Sequence, residues 1–231
     1  MTVATESLLG IGLYTPAEAA LYARVHVQTM NRWLFGDRRG EAVLTPQLAG
    51  DDQRFVTFLD FVQSLSVRQI RIDLEVPLPK IRQAINNARE RYGVDYPLAM
   101  DHTTYLYGGE LIIRQGRETE EEYTQISGKE AHHKMIQKVV RVYMKDLTFD
   151  PNGLANNYTA YTYEQVKVSM NPHFRFGEPL IRSCGHTARL LWESARAEGS
   201  VEAAAAEYGI TPDEVEAGYR YYESLQIPRA A

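Results

Sequence analysis

The chain has 231 residues and a mass of 26.3 kDa, which suits one large domain or two small ones and allows a buried core in either case. Its 25 basic and 30 acidic side chains leave a net charge of −5, and 44% hydrophobic with 24% charged residues is an ordinary globular composition, which excludes wholesale disorder, collagen and coiled coil. Apolar runs stop well short of the roughly 20 residues that span a bilayer, the opening MTVATESLLGIGLY has neither the basic lead nor the apolar stretch of a signal peptide, and Cys184 is the single cysteine. The expectation is a cytoplasmic chain with no membrane contact, no intrachain disulfide and no Cys-rich zinc site.

Charge is unevenly divided. Residues 1–97 carry 11 basic and 11 acidic side chains, residues 98–169 carry 8 and 10, and residues 170–231 carry 6 and 9. The first part therefore repels phosphate least. Its bases gather as Arg32, Arg38 and Arg39, then Arg68 and Arg71, then Lys80, Arg82, Arg89 and Arg91, patches of the kind a DNA-binding module presents and a solvated helix face also produces.

Thr15-Pro16-Ala17-Glu18 opens a helix: the Thr15 hydroxyl caps, Pro16 suits the first helical position and Glu18 closes a capping box. That helix runs to Ala23. After Arg24-Val25-His26 a second pattern runs from Val27 to Phe35, with Met30, Trp33 and Leu34 as its buried stripe. This is helix-turn-helix spacing. Gln28, Thr29, Asn31 and Arg32 occupy the opposite face, with amide, hydroxyl and guanidinium groups able to meet base edges and phosphates. Gly36 to Leu44 has glycines around a basic tip and an apolar return, the pattern of a wing whose Arg38 and Arg39 contact the backbone of a duplex. Two plain helices joined by a loop would give the same pattern. Further helices are expected from Phe55 to Leu65 and, after Val76-Pro77-Leu78-Pro79, from Ile81 to Ala88 with Gly93 as its end.

The residues Tyr14-Thr15-Pro16-Ala17-Glu18-Ala19-Ala20 through Arg32-Trp33-Leu34-Phe35-Gly36, with Phe58-Leu59-Asp60-Phe61-Val62 and Pro79-Lys80-Ile81-Arg82-Gln83-Ala84 through Gly93-Val94-Asp95-Tyr96-Pro97-Leu98-Ala99, resemble the MerR-like winged-helix region of bacterial antitoxins of the VapB type. Arg24 stands where such turns have glycine, and His26 where they have a Ser or Thr cap.

In the middle, Thr104 to Ile113 predicts a hairpin turning at Gly108-Gly109. Glu118 to Glu122 reads as a solvated loop or helix start, and Met135, Ile136, Val139, Val140 and Tyr143 predict an amphipathic helix over 131–143 that serves core or dimer contact. Tyr105, Tyr107, Tyr123, Tyr158, Tyr161 and Tyr163 suggest strands of a small α+β connector. Tyr96-Pro97 and the turn Asp150-Pro151-Asn152-Gly153 are the expected joints.

The last part predicts an extended segment, Phe176 to Thr187, then three helices. Leu190, Leu191 and Ala195 line the first, Val201, Ala204, Ala205 and Tyr208 the second, and Thr211-Pro212-Asp213-Glu214 caps a third striped by Val215, Tyr219 and Tyr222. Its exposed face carries Asp213, Glu216, Arg220 and Glu223, so like-charge contact disfavours a duplex there. Met170-Asn171-Pro172, Phe176 to Ile181, Gly185-His186-Thr187, Ala197 to Val201 and Tyr208 to Val215 are similar to the small antitoxin domain that is paired with PIN-like ribonuclease toxins.

The two resemblances together imply a mainly α fold with a small α+β part: a winged helix-turn-helix domain at 1–99, a connector at 100–166 suited to dimerisation, and a toxin-binding domain at 167–231. They imply a non-enzymatic antitoxin that neutralises a PIN-like ribonuclease toxin and, as a homodimer on operator DNA, represses its own operon. For toxin contact the expected residues are Arg175, Arg182 and Tyr221, with basic side chains opposite an acidic nuclease site. No cofactor or metal is expected. His132-His133 diverge by about 100° on a helix, wrong for sharing one ion, and Cys184-Gly185-His186 lacks an oxyanion-hole motif. Alternatives are a stand-alone MerR-like transcriptional regulator with a sensing C-terminal half, or a metal-free structural adaptor.

Overall fold

A computed structural model describes residues 11–38, 40–48, 54–72, 74–107, 110–115, 137–138 and 146–227. Thr15 caps α1 (Pro16–Tyr22) with the expected reciprocal bonds to Glu18, and α2 (Val27–Phe35) follows with Met30, Trp33 and Leu34 buried. The next helix, α3 (Phe58–Ile72), starts later than expected because Val56 pairs with Tyr14 across an isolated bridge, which leaves Phe55 outside the helix. α4 (Leu78–Tyr92) ends on Gly93 in the left-handed conformation.

The hairpin forms as β1 (His102–Tyr107) and β2 (Glu110–Gln115), antiparallel in the register that places the turn at 108–109, outside the described residues. Within the stretch expected as the helix 131–143, Gln137–Lys138 is a strand, β3, paired with β1, since Tyr105 and Leu106 offer an open edge there. The remainder of that stretch, Glu118 to Glu122, Tyr123 and His132-His133 lie outside the described residues.

A second sheet of five antiparallel strands runs in sequence order: β4 (Leu147–Phe149), β5 (Ala155–Tyr163), β6 (Val166–Met170), β7 (Leu180–Ile181) and β8 (His186–Thr187). The fold is therefore mixed α and β, and not mainly α. Tyr158, Tyr161 and Tyr163 sit on β5 as their β-propensity suggests. The three closing helices, α5 (Ala188–Glu198), α6 (Val201–Tyr208) and α7 (Pro212–Gln226), are capped by the side chains of Thr187, Ser200 and Thr211, the last with the expected box. On α7 the buried stripe is Val215, Ala217, Gly218, Tyr221, Tyr222 and Leu225, with Tyr219 only half-buried.

Neither expected joint behaves as a linker. Asp150 to Gly153 is the β4–β5 hairpin, with the Asp150 carboxylate accepting from the Asn152 and Leu154 amides at 2.9 and 2.8 Å. Asp101 donates to the Gly153 carbonyl at 2.8 Å and Met100 bridges Leu154, so the segment after Tyr96-Pro97 is stitched to that same hairpin. The position between residues 166 and 167 falls inside β6. Buried side chains from Tyr14 to Leu225 form one hydrophobic cluster, in which the Phe61 and Tyr158 rings meet at 6.0 Å.

Candidate functional site

The turn between α1 and α2 is built from unusual residues. Arg24 takes φ 54 where glycine would be free of strain, and its guanidinium donates to the Ser224 hydroxyl on α7 at 2.6 Å. His26 caps α2 through Nδ1, which accepts from the Gln28 amide at 3.3 Å. The helix thus begins with one of its free N–H groups satisfied by an imidazole.

Gln28, Thr29, Asn31 and Arg32 stand together on the outer face of α2 and, with Gly36, Asp37, Arg38 and Arg54, line an open concavity of about 590 Å³. Arg32 and Arg38 are exposed. The Asn31 amide donates back to the Val27 carbonyl at 3.0 Å. Arg39 lies outside the described residues. Arg54 does not stand out in the sequence; the chain leading into α3 brings it here, with its guanidinium 4.9 Å from the centre of the Phe35 ring. Three guanidinium groups against the single Asp37 carboxylate make this a cationic hollow bordered by amide and hydroxyl donors.

Where a wing was expected the chain makes a tight turn: Asp37 and Gly40 exchange two backbone hydrogen bonds at 3.0 and 3.2 Å, with Arg38 between them. Gly36 turns there at φ 70, with the Ala42 amide only 3.0 Å from where a Cβ would lie. The return is pinned by Val43 and Leu44, whose amides donate to the Trp33 carbonyl at 2.8 and 2.9 Å. Arg82 on α4 donates to the Glu41 and Ala42 carbonyls, and Arg89 donates to the Asp95 carbonyl at 2.9 Å and the Thr45 hydroxyl at 3.0 Å. Those two members of the basic clusters are braces for the loop.

At the other end of the chain, Arg175 and Arg182 are exposed, and Arg182 lies 4.7 Å over the Phe174 ring. Tyr221 does not join them. It is 2% exposed, packed on Tyr161 at 6.2 Å between ring centres, so it has no surface to offer a partner and is a core residue. A second concavity, about 490 Å³, is lined by Leu13, Tyr14, Glu18, Tyr22, Arg175, Phe176 and Glu178. Beneath it the Tyr14 hydroxyl donates to the Gly177 carbonyl at 2.8 Å, and burial pushes that phenol well above its usual range, keeping it a neutral donor. Burial likewise raises the Cys184 thiol, whose Sγ faces the Ile181 carbonyl, while the His186 ring rests on Tyr208. Among the described residues no group of three or more His, Cys, Asp or Glu could hold a metal, and no helix is long and apolar enough to cross a membrane.

No family model matches the chain. It is similar to a Mycobacterium tuberculosis protein provisionally named antitoxin VapB45, at 22% identity over 222 residues that cover 89% of this chain and 91% of that one. Its fold is similar to the crystal structure of Rv2018 from Mycobacterium tuberculosis, with a TM-score of 0.59 at 18% identity, covering 89% of this chain and 96% of the other.

Proposed function

We propose that this chain is an antitoxin of the VapB kind: it binds and silences a PIN-like ribonuclease toxin and, as a homodimer, represses its own operon through DNA contacts. The similarity to VapB45 carries the reading, because it covers 89% of this chain and 91% of that one. Duplex contact is assigned to the hollow on α2. There Gln28, Thr29, Asn31 and Arg32 face base edges, and Arg38 and Arg54 face phosphates. Toxin contact is assigned to the segment from Phe174 to Thr187, where Arg175 and Arg182 meet carboxylates of the nuclease.

Gel-shift titration with the DNA upstream of the chain's own gene tests the first half. Arg32→Ala is expected to weaken binding to that DNA by about tenfold, the loss of roughly one good base or phosphate contact. Wild-type protein that binds the upstream DNA no better than unrelated duplex would overturn it.

A further inference from the structure

The hollow of about 490 Å³ beside Tyr14 has the size of a small-molecule site. Its lining carries two carboxylates, Glu18 and Glu178, and one guanidinium, Arg175. Among the described residues Arg175 makes no ion pair with either carboxylate. Glu18 uses one oxygen, Oε2, on the Thr15 amide and hydroxyl at 2.7 and 2.8 Å, and leaves the other open. Tyr22 adds a second observation. It is 8% exposed and lines the hollow, yet its hydroxyl, unlike that of Tyr14, has no hydrogen-bond partner among the described residues. A nearly buried hydroxyl in that position has given up water without gaining a bond. Burial first, and the Glu178 charge after it, hold this phenol well above its usual range, so it keeps its proton and can donate. The wall opposite is fixed: Gly177 and Glu178 donate back to the Phe174 and Arg175 carbonyls at 2.9 and 3.1 Å, and Tyr14 donates to the Gly177 carbonyl at 2.8 Å. Arg175 and Phe176 hold left-handed φ values of 48 and 54 in that turn, and both border the hollow.

We propose that this hollow binds a free basic amino acid, arginine or lysine. The lining presents two negative charges and one positive, and such a molecule presents two positive charges and one negative, joined by an aliphatic stem. Arg175 receives its carboxylate through a charge-assisted bond. Glu18 and Glu178 receive the α-ammonium and the side-chain cation, and the Tyr22 hydroxyl gains the partner it lacks. Leu13 and Phe176 cover the stem, while the faces of Phe176 and the two tyrosines favour a cation beside them. A purely anionic ligand, a nucleic acid included, would meet two carboxylates, and a purely cationic one would meet Arg175. Charge therefore selects a molecule that carries both. The site does not depend on the antitoxin reading; a nuclease carboxylate at Arg175 and this ligand exclude each other there.

Isothermal titration calorimetry of the full chain with three probes tests this: L-arginine, agmatine, which lacks the carboxylate, and L-norleucine, which lacks the side-chain cation. Arginine is expected to bind about tenfold more tightly than either of the others, the effect of one charge-assisted hydrogen bond. Arg175→Gln should bring arginine down to about the affinity of agmatine and leave agmatine unweakened. Glu178→Gln should weaken both. Tyr22→Phe should weaken arginine without lowering the melting temperature, since the hydroxyl it removes bonds to nothing in the fold. The proposal is overturned by a wild-type chain that takes up no arginine in the millimolar range, or by variants that all bind arginine as the wild type does, which would place the ligand elsewhere. Agmatine binding as tightly as arginine also overturns it, because the hollow would then suit a bare cation such as a basic side chain of another protein. So does norleucine binding as tightly as arginine, because the two carboxylates would then be idle.

Discussion

His26 and Arg24 do work that sequence pattern normally assigns to Ser and Gly. Imidazole Nδ1 is as able as a hydroxyl to accept from the Gln28 amide, and the left-handed cost at Arg24 is offset by a hydrogen bond made 200 residues away on α7. Spacing along a sequence cannot reveal such a bond, since nothing near Arg24 points to Ser224. Asp60 is a second case. It reads as one more polar residue of an amphipathic helix, yet it is fully buried and accepts from the Thr57 amide and hydroxyl and from the Gln47 amide. Burial outweighs those bonds and pushes its carboxyl up to about 6. The folded state then keeps a proton that the unfolded chain, with an ordinary carboxylate near 3.9, releases. Stability contributed by the protonated form is present below about pH 4 and is lost as pH rises toward about 6, on the order of 3 kcal/mol in all. Asp60→Asn keeps an acceptor and cannot ionise, so melting curves across that window should fall for the wild type and stay flatter for the variant. Parallel curves would show that Asp60 does not titrate there.

At the scale of elements, helix ends were legible because caps are local chemistry: Thr15, Gly93 and Thr211 each stand where a helix begins or ends. The hairpin at 102–115 was legible for the same reason. The five-stranded sheet was not, since β7 and β8 are two residues each, too short to show an alternating pattern. The hollow on α2 was half legible. Its helical face follows from periodicity, but Arg54 arrives through tertiary packing and Arg82 turns out to brace the loop. A salt series separates these roles. Arg38→Ala and Arg54→Ala should each lower the slope of log affinity against log salt by about 1, because each removes a phosphate contact. Arg82→Ala should weaken binding at every salt concentration with the slope unchanged, because it loosens the return without touching the duplex. A slope change for Arg82→Ala of the same size as for Arg54→Ala would remove the brace.

At the scale of the whole molecule, the first and last parts of the chain share one core. Tyr14 is tied to Gly177, Arg24 to Ser224 and Phe61 to Tyr158, so the hollow on α2 and the segment around Gly177 are mounted on a common frame. Charge partition along the sequence hinted at separate modules; burial places both ends in the same cluster. Calorimetry of the full chain should therefore show one cooperative transition, with equal calorimetric and van't Hoff enthalpies. Two separated transitions would mean that the halves fold independently.

The central claim is that one rigid chain holds duplex with one surface and a nuclease with another. Its most direct test is a ribonuclease assay on the product of the adjacent reading frame, titrated with this chain. The account predicts that cleavage falls to background as the chain reaches a stoichiometric amount. Cleavage that continues undiminished in excess chain would contradict it.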